Sequence, residues 1–144
     1  MNPTSDPSSI FGALGSGLPM LLLQFVLVLV LLVVGVGIYI SVTPFHEREL
    51  LRNANPAAAT VLGGAVIALA IPLAALLATT GALLDILVWG VVALVLQLLT
   101  LAVMSHLLRG MRAMIEAGQV AAAIPLVAAQ LSIALLNAAA MVPA

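Results

Sequence analysis

The sequence predicts an all-α integral membrane protein of four transmembrane helices, built of two tandem parallel helix–loop–helix repeats. The chain of 144 residues is 65% hydrophobic and 6% charged, with a mean hydropathy of +1.34. A soluble domain has about 25% charged residues. Four apolar stretches are each long enough for a span of about 20 residues. The chain contains no lysine, and its four arginines lie in two short polar loops.

The first helix is predicted from about Leu18 to Ser41, after an N-terminal tail of residues 1–17. Its centre is rich in β-branched valine, but a segment in lipid must satisfy its backbone hydrogen bonds internally, so helix is favoured over strand. The tail contains Asp6 and no basic residue, and the apolar stretch that follows is too long for a signal-peptide core. No cleavable signal peptide is therefore expected.

The second helix begins at a clear start signal. Asn55 is a good N-cap, and Pro56 after it suits the first helical position. The remaining spans are predicted from about Pro56 to Thr80, from Leu83 to Leu108, and from Val120 to about Met141.

An internal repeat divides the chain. At a shift of 64 residues, Ala57-Ala58-Ala59 overlays Ala121-Ala122-Ala123, and each match follows an arginine loop. Because each copy contains two spans, the copies share one orientation in the membrane. The predicted first repeat covers residues 18–80 with a loop at 42–55, and the second covers residues 81–144 with a loop at 109–119.

The arginines predict the orientation. Arg48 and Arg52 lie in the first loop, Arg109 and Arg112 in the second. Cytoplasmic loops keep positive charge, since placing arginine at the membrane centre costs about 2.5–3.5 kcal/mol each. We expect a multi-pass protein of the bacterial inner membrane, with both loops in the cytoplasm and both termini outside.

Small residues form stripes along the second and fourth helices. Gly64 and Ala68 lie on one stripe, Ala128 and Ser132 on its counterpart, and Gly63 adds a second glycine beside the first. Close backbone approach over small residues drives helix association in lipid. The stripes predict contact faces, within the monomer or between subunits. Helix 1 lacks such a stripe, so we expect it at the periphery or in a subunit contact.

The two loops are predicted to contain short amphipathic helices, over residues 44–52 and, with a weaker pattern, over residues 110–116. Such helices rest on lipid headgroups, where Arg48 and Arg52 meet anionic lipid. Docking of a cytoplasmic partner protein is the alternative role.

Polar residues inside spans are where function is sought in a membrane protein. The candidates are Asp85 near the outer end of helix 3, Gln97 in its middle, and Gln130 and Asn137 in helix 4. The amides either form hydrogen bonds between helices or line a narrow polar path. Asp85 either stays in water at the helix N-terminus or binds a proton.

Several classes are excluded or disfavoured. The sequence contains no cysteine and two histidines, and its net charge is −1. No metal site, cofactor or nucleic-acid partner is expected. No nucleophile–base pair or paired-acid site is visible, so an intramembrane enzyme is the least favoured class.

Together these residues resemble the YjfL-like family of small bacterial inner-membrane proteins, known as domain of unknown function 350. The resemblance covers about residues 20–142, and Gln119 departs from it where the second repeat is expected to carry asparagine. It implies two repeats of two helices, no established reaction, and partners in an envelope-associated system. The matching positions are Asn55, Ala57-Ala58-Ala59, Gly63-Gly64, Ile71-Pro72-Leu73, Asp85, Trp89-Gly90, Gln97, Leu135-Leu136-Asn137-Ala138-Ala139 and Met141.

Two functional classes then lead. The favoured one is a self-associating, non-enzymatic scaffold or accessory subunit, with membrane lipid, further copies of itself and a cytoplasmic or membrane protein as partners. The other is an oligomeric channel or small transporter whose path is lined by Gln97, Gln130 and Asn137.

Overall fold

The computed structural model describes residues 7–43, 47–107 and 109–142, and every regular element within them is a helix. Four of the helices (α1, α3, α4 and α6) are long and apolar enough to cross a membrane, which confirms the predicted all-helical membrane class. The six helices are α1 Pro7–Val42, α2 Glu47–Arg52, α3 Pro56–Thr79, α4 Leu83–Leu107, α5 Arg109–Glu116 and α6 Val120–Ala140.

The first helix is longer than predicted. It begins at Pro7, so residues 7–17 of the predicted tail are helical. Phe11, Leu14 and Leu18 follow one another at helical spacing, and the membrane-capable stretch extends from Phe11. An apolar segment in lipid gains by satisfying its backbone within one continuous helix, and this outweighs the weak helix propensity of its glycines.

The centre of the bundle is α3, which contacts each of the other five helices. In its most apolar segment 44% of the residues are buried, against 11% in α1. Many α3 side chains are alanine or glycine, and small side chains let neighbouring backbones approach from several directions. Helix α1 lies at the edge of the monomer.

Two apolar cores lie along α3, one at its C-terminal half and the other at its N-terminal half. The first joins α1, α3 and α4 around Leu31, Leu69 and Ile86. The second joins α3, α5 and α6 around Val61, Ile115 and Leu126. Since Ile115 belongs to α5, the second arginine-containing segment is held against the membrane-spanning helices.

Helices α3 and α6 approach each other closely at Gly64. A Cβ atom there would lie 2.6 Å from both Cγ atoms of Val127. Gly64 and Ala68 are buried, as expected for a packing face, whereas Gly63 faces open space. Only one of the two adjacent glycines is therefore needed for this contact.

The packing face of α6 differs from the small-residue stripe. Its buried residues include Ala123, Gln130 and Ala134, while Ala128 and Ser132 are exposed. Ala128 and Ser132 each stand two residues from Gln130, about half a turn around the helix. The two therefore lie on the exposed face of α6 and not among its buried packing residues.

The segments entering α3 and α6 have the same backbone conformation. Ala54 and Gly118, which are 64 residues apart, both have positive φ, 54° and 80°. Three backbone hydrogen bonds also recur at this shift. Before α3 they join Asn53 N to Glu49 O, Ala54 N to Leu51 O and Asn55 N to Leu50 O; before α6 they join Ala117 N to Ala113 O, Gly118 N to Ile115 O and Gln119 N to Met114 O.

Candidate functional site

A cleft lies at the end of the bundle that carries the α3–α4 turn. It opens between the last turns of α3, the first half of α4 and the last turns of α6, and its volume is about 390 Å³. Pockets for small molecules occupy about 300–1,000 Å³. Asp85, Trp89 and Asn137 bring a carboxylate, an indole and an amide to its lining.

The rotation of α4 turns Asp85 and Trp89 toward this cleft. Ile86 is fully buried, and a Cβ at Gly90 would lie 2.7 Å from Leu31 Cδ1, so this side of α4 is held against the core. Asp85 and Trp89 are four residues apart and share the neighbouring face. Asp85 lies in the first turn of α4, where a negative charge is favourable.

Asn137 joins the cleft to α4. Its Nδ2 donates to the carbonyl of Ala93 at 3.4 Å, and the side chain is partly buried. This is a long hydrogen bond, so the amide remains available to a molecule in the cleft. Of the four polar candidates from the sequence, Asp85 and Asn137 are the two that line this space.

Gln97 and Gln130 meet deeper in the bundle. Gln97 Nε2 donates to the backbone carbonyl of Gln130 at 3.0 Å, and both residues are fully buried. Within the described chain, Gln97 Oε1 and both amide atoms of Gln130 have no hydrogen-bond partner. An unpartnered amide in an apolar interior carries a desolvation cost of about 1–3 kcal/mol. Neither glutamine lines the cleft.

A further polar contact ties α1 to the same end. Gln24 Nε2 donates to the carbonyl of Gly81 at 2.6 Å, which joins α1 to the α3–α4 turn. The sequence shows Gln24 as a polar residue in a span but does not reveal its partner. The contact depends on how α1 packs against the other helices of the bundle.

Asn55 forms a second polar centre at the opposite end. It caps α3, as predicted, by accepting from Ala58 N at 3.0 Å. It also donates to the carbonyls of Ile115 and Glu116, both at 3.0 Å, at the end of α5. The asparagine–proline pair is a visible cap signal, but the link to α5 depends on the tertiary arrangement.

The arginine-containing segments lie at this opposite end. Arg112 Nε forms an ion pair of 2.9 Å with Glu116, and Arg52 is exposed at the end of α2. A shallow groove between α2 and α5 is lined by Glu49, Asn53, Arg112 and other residues. The side chains of Arg48 and Arg109, and residues 44–46 of the predicted loop helix, lie outside the described part of the structure.

Among the described residues, no group of three His, Asp or Glu side chains is placed to hold a metal ion. The cleft itself presents one carboxylate, one amide, one indole and the side chains of Thr79 and Thr80.

Comparison with known proteins gives a consistent result. Residues 13–141 match the model of a family described as Domain of Unknown Function (DUF350). The UPF0719 inner membrane protein YjfL of Escherichia coli (strain K12) is 37% identical over 65 residues, which is 45% of this chain. The same protein from Escherichia coli O157:H7 matches equally, and the chain spans 49% of each relative's length. No solved structure matches the chain. Since the family model covers nearly the whole sequence, the chain belongs to the DUF350 family.

Proposed function

We propose that this membrane protein is a non-enzymatic scaffold or accessory subunit that associates with copies of itself in the bacterial inner membrane. The observation that carries the proposal is the outward small face of α6. Ala128 and Ser132 are exposed in the monomer. In lipid, rows of small residues associate helices because they permit close backbone contact. A second copy is the partner that this face suits.

We also propose that the two halves of the chain are tandem repeats in one orientation. The recurrence of positive φ at Ala54 and Gly118, with the same three backbone hydrogen bonds, supports this. Helices α3 and α6 follow these segments and pack on each other. Parallel repeats are related by an axis along the membrane normal. Both arginine segments then lie on one side, which the positive-inside rule makes the cytoplasm.

The cytoplasmic side offers a surface for a partner protein. Helices α2 and α5 both contact α3, and the groove between them carries charges of both signs from Glu49, Arg112 and Glu116. Asn55 and Ile115 hold α5 in place. A charged surface on anchored short helices suits an accessory subunit of an envelope-associated system.

A channel along an oligomer axis is less favoured. Gln97 and Gln130 are fully buried inside one subunit, so their amides do not face a neighbouring copy. A path at a subunit interface would have to be lined by other residues. An enzymatic role would need a nucleophile–base pair or a metal cluster, and the cleft offers one carboxylate instead.

Because the sequence contains no cysteine, single introduced cysteines can test whether the α6 face forms a subunit contact. Ser132→Cys and Val95→Cys each place one thiol on an exposed, lipid-side position, on α6 and α4 respectively. We expect native mass spectrometry in nanodiscs to show a defined oligomer, and mild oxidation to crosslink Ser132→Cys but not Val95→Cys. A monomer with no crosslink at Ser132→Cys would overturn the scaffold proposal. Equal crosslinking of both variants would indicate random collision and would remove the argument for the α6 face.

A further inference from the structure

We propose that the cleft between α3, α4 and α6 binds an organic ammonium group, with Asp85 as its counter-ion and Trp89 as its aromatic wall. This assignment is independent of self-association, since it uses a different surface from the α6 face.

The charge of the cleft favours a cation. Among the described residues that line the cleft, Asp85 is the only ionisable one, and no basic side chain of the described chain forms an ion pair with this carboxylate. The described arginine side chains lie at the opposite end of the bundle, on α2 and α5. A carboxylate beside low-polarity walls concentrates positive ligands more strongly than one in open water.

Trp89 narrows the kind of cation. Trp89 is four residues from Asp85 on the same helical face, and the residue is exposed and lines the cleft, so it is available to a ligand. Lysine-like and quaternary ammonium groups bind to the face of an indole, because the electron-rich ring attracts a cation. Asn137 adds an amide at the α6 side of the cleft.

The remaining walls argue against a metal ion. Leu76, Val92 and Leu96 give the cleft a largely apolar lining, and its volume of about 390 Å³ is far larger than an ion requires. Calcium takes six to eight oxygen ligands and magnesium an octahedral shell. An alkylated ammonium, which combines charge with apolar surface, fits both the carboxylate and these walls.

The ammonium group can come from two sources, a phospholipid headgroup or a soluble amine. The cleft is at the end of the membrane-spanning helices, where ethanolamine headgroups of phospholipids lie, and it is also open to soluble amines. Both present an ammonium group to the same carboxylate and ring. The experiment must therefore separate the lipid from the soluble source.

The chain has a single tryptophan, so Trp89 fluorescence reports on the cleft alone. The protein is reconstituted in nanodiscs of phosphatidylglycerol, which contains no ammonium group, and titrated with choline. We expect choline to produce a saturable change in Trp89 emission. Dimethylbutanol, the uncharged analogue of choline in which carbon replaces the nitrogen, should produce no such change. Asp85→Asn should weaken choline binding about five- to tenfold, whereas Asp85→Glu should retain most of it.

A parallel titration in nanodiscs that contain phosphatidylethanolamine identifies the source. Weaker choline binding there supports headgroup occupancy of the cleft, and unchanged binding supports a soluble ligand. An equal response to dimethylbutanol, or full choline binding by a folded Asp85→Asn variant, would overturn the proposal. Asp85 is exposed, so its substitution is not expected to unfold the bundle, and circular dichroism checks this.

Discussion

The side chain of Asn55 donates to the backbone carbonyl of Ile115, sixty residues further along the chain. The same side chain caps α3 through Ala58 N, so one buried amide joins the start of a membrane-spanning helix to the end of α5. At the equivalent place before α6, Gln119 is exposed and makes no side-chain cap. The segments that enter α3 and α6 thus share positive φ and three backbone hydrogen bonds, but only the first is held by a side-chain cap.

We predict that Asn55→Ala lowers the free energy of unfolding by about 2 kcal/mol. The variant removes the cap of α3 and leaves the carbonyls of Ile115 and Glu116 without their side-chain donor. Reversible unfolding in mixed detergent micelles measures the change. Asn53→Ala is the matched control, because Asn53 is exposed and lies two residues earlier. Equal losses from both variants would contradict a special role for Asn55.

The reverse substitution tests the repeat. If the halves are related by a pseudo-two-fold axis, an asparagine at position 119 reaches the carbonyls of Leu51 and Arg52, as Asn55 reaches Ile115 and Glu116. Gln119→Asn should then raise the free energy of unfolding by about 1 kcal/mol. The same unfolding assay applies, and a neutral or lower stability would argue against equivalent surroundings at the two positions.

Substitution of two adjacent glycines by alanine should affect stability differently. Gly64→Ala places a Cβ against the stiff, β-branched Val127 and should cost about 1–3 kcal/mol, whereas Gly63→Ala meets open space and should be neutral or slightly stabilising. Thermal unfolding in detergent measures both. Val127→Ala in the Gly64→Ala background should recover much of the loss. Failure of this rescue would show that the penalty arises elsewhere than at the α3–α6 contact.

Two amide side chains within the spans, one buried and one half-buried, should also differ. Gln130→Leu removes a side chain whose amide atoms both lack a partner, so stability should rise by about 1 kcal/mol. Gln24→Leu removes the hydrogen bond to Gly81 and should lower stability by about 0.6–1 kcal/mol. Unfolding titrations of the two variants provide the comparison. A loss of stability in Gln130→Leu would reveal a bound partner, such as water, at this amide.

The orientation can be tested with single cysteines at exposed positions. With both arginine segments in the cytoplasm, Gly81→Cys should react with a membrane-impermeant thiol reagent in intact cells, and Asn53→Cys should react only after lysis. Both positions are exposed in loops, so reactivity reports on sidedness rather than burial. The opposite labelling pattern would reverse the proposed topology.

Much of the fold was predictable because lipid imposes simple rules. The predicted starts of three spans at Pro56, Leu83 and Val120 match the observed helices, since apolar length and the cap at Asn55 are local properties. The start of α1 was predicted too late. The glycines and the proline of residues 12–19 have low helix propensity, which suggests a non-helical tail. In the membrane, however, one continuous helix is favoured.

The candidate site was only partly predictable. Asp85 and Asn137 can be recognised in the sequence as polar residues in apolar spans. The rotation of α4 and α6 places these two in one cleft. The same rotation brings Gln97 and Gln130 together deeper in the bundle. Helices that are apolar all round carry no polarity period to indicate that rotation.

By itself, the sequence determined the membrane class, the helical state of its spans and the position of its charged loops, because each follows from the composition of one segment in lipid. Only the tertiary structure decided which faces meet. Gly64 lies against Val127, while the similar residues Gly63, Ala128 and Ser132 face outward. Between apolar helices the choice rests on the shape of the side chains rather than on polarity, and shape complementarity is a property of two segments together.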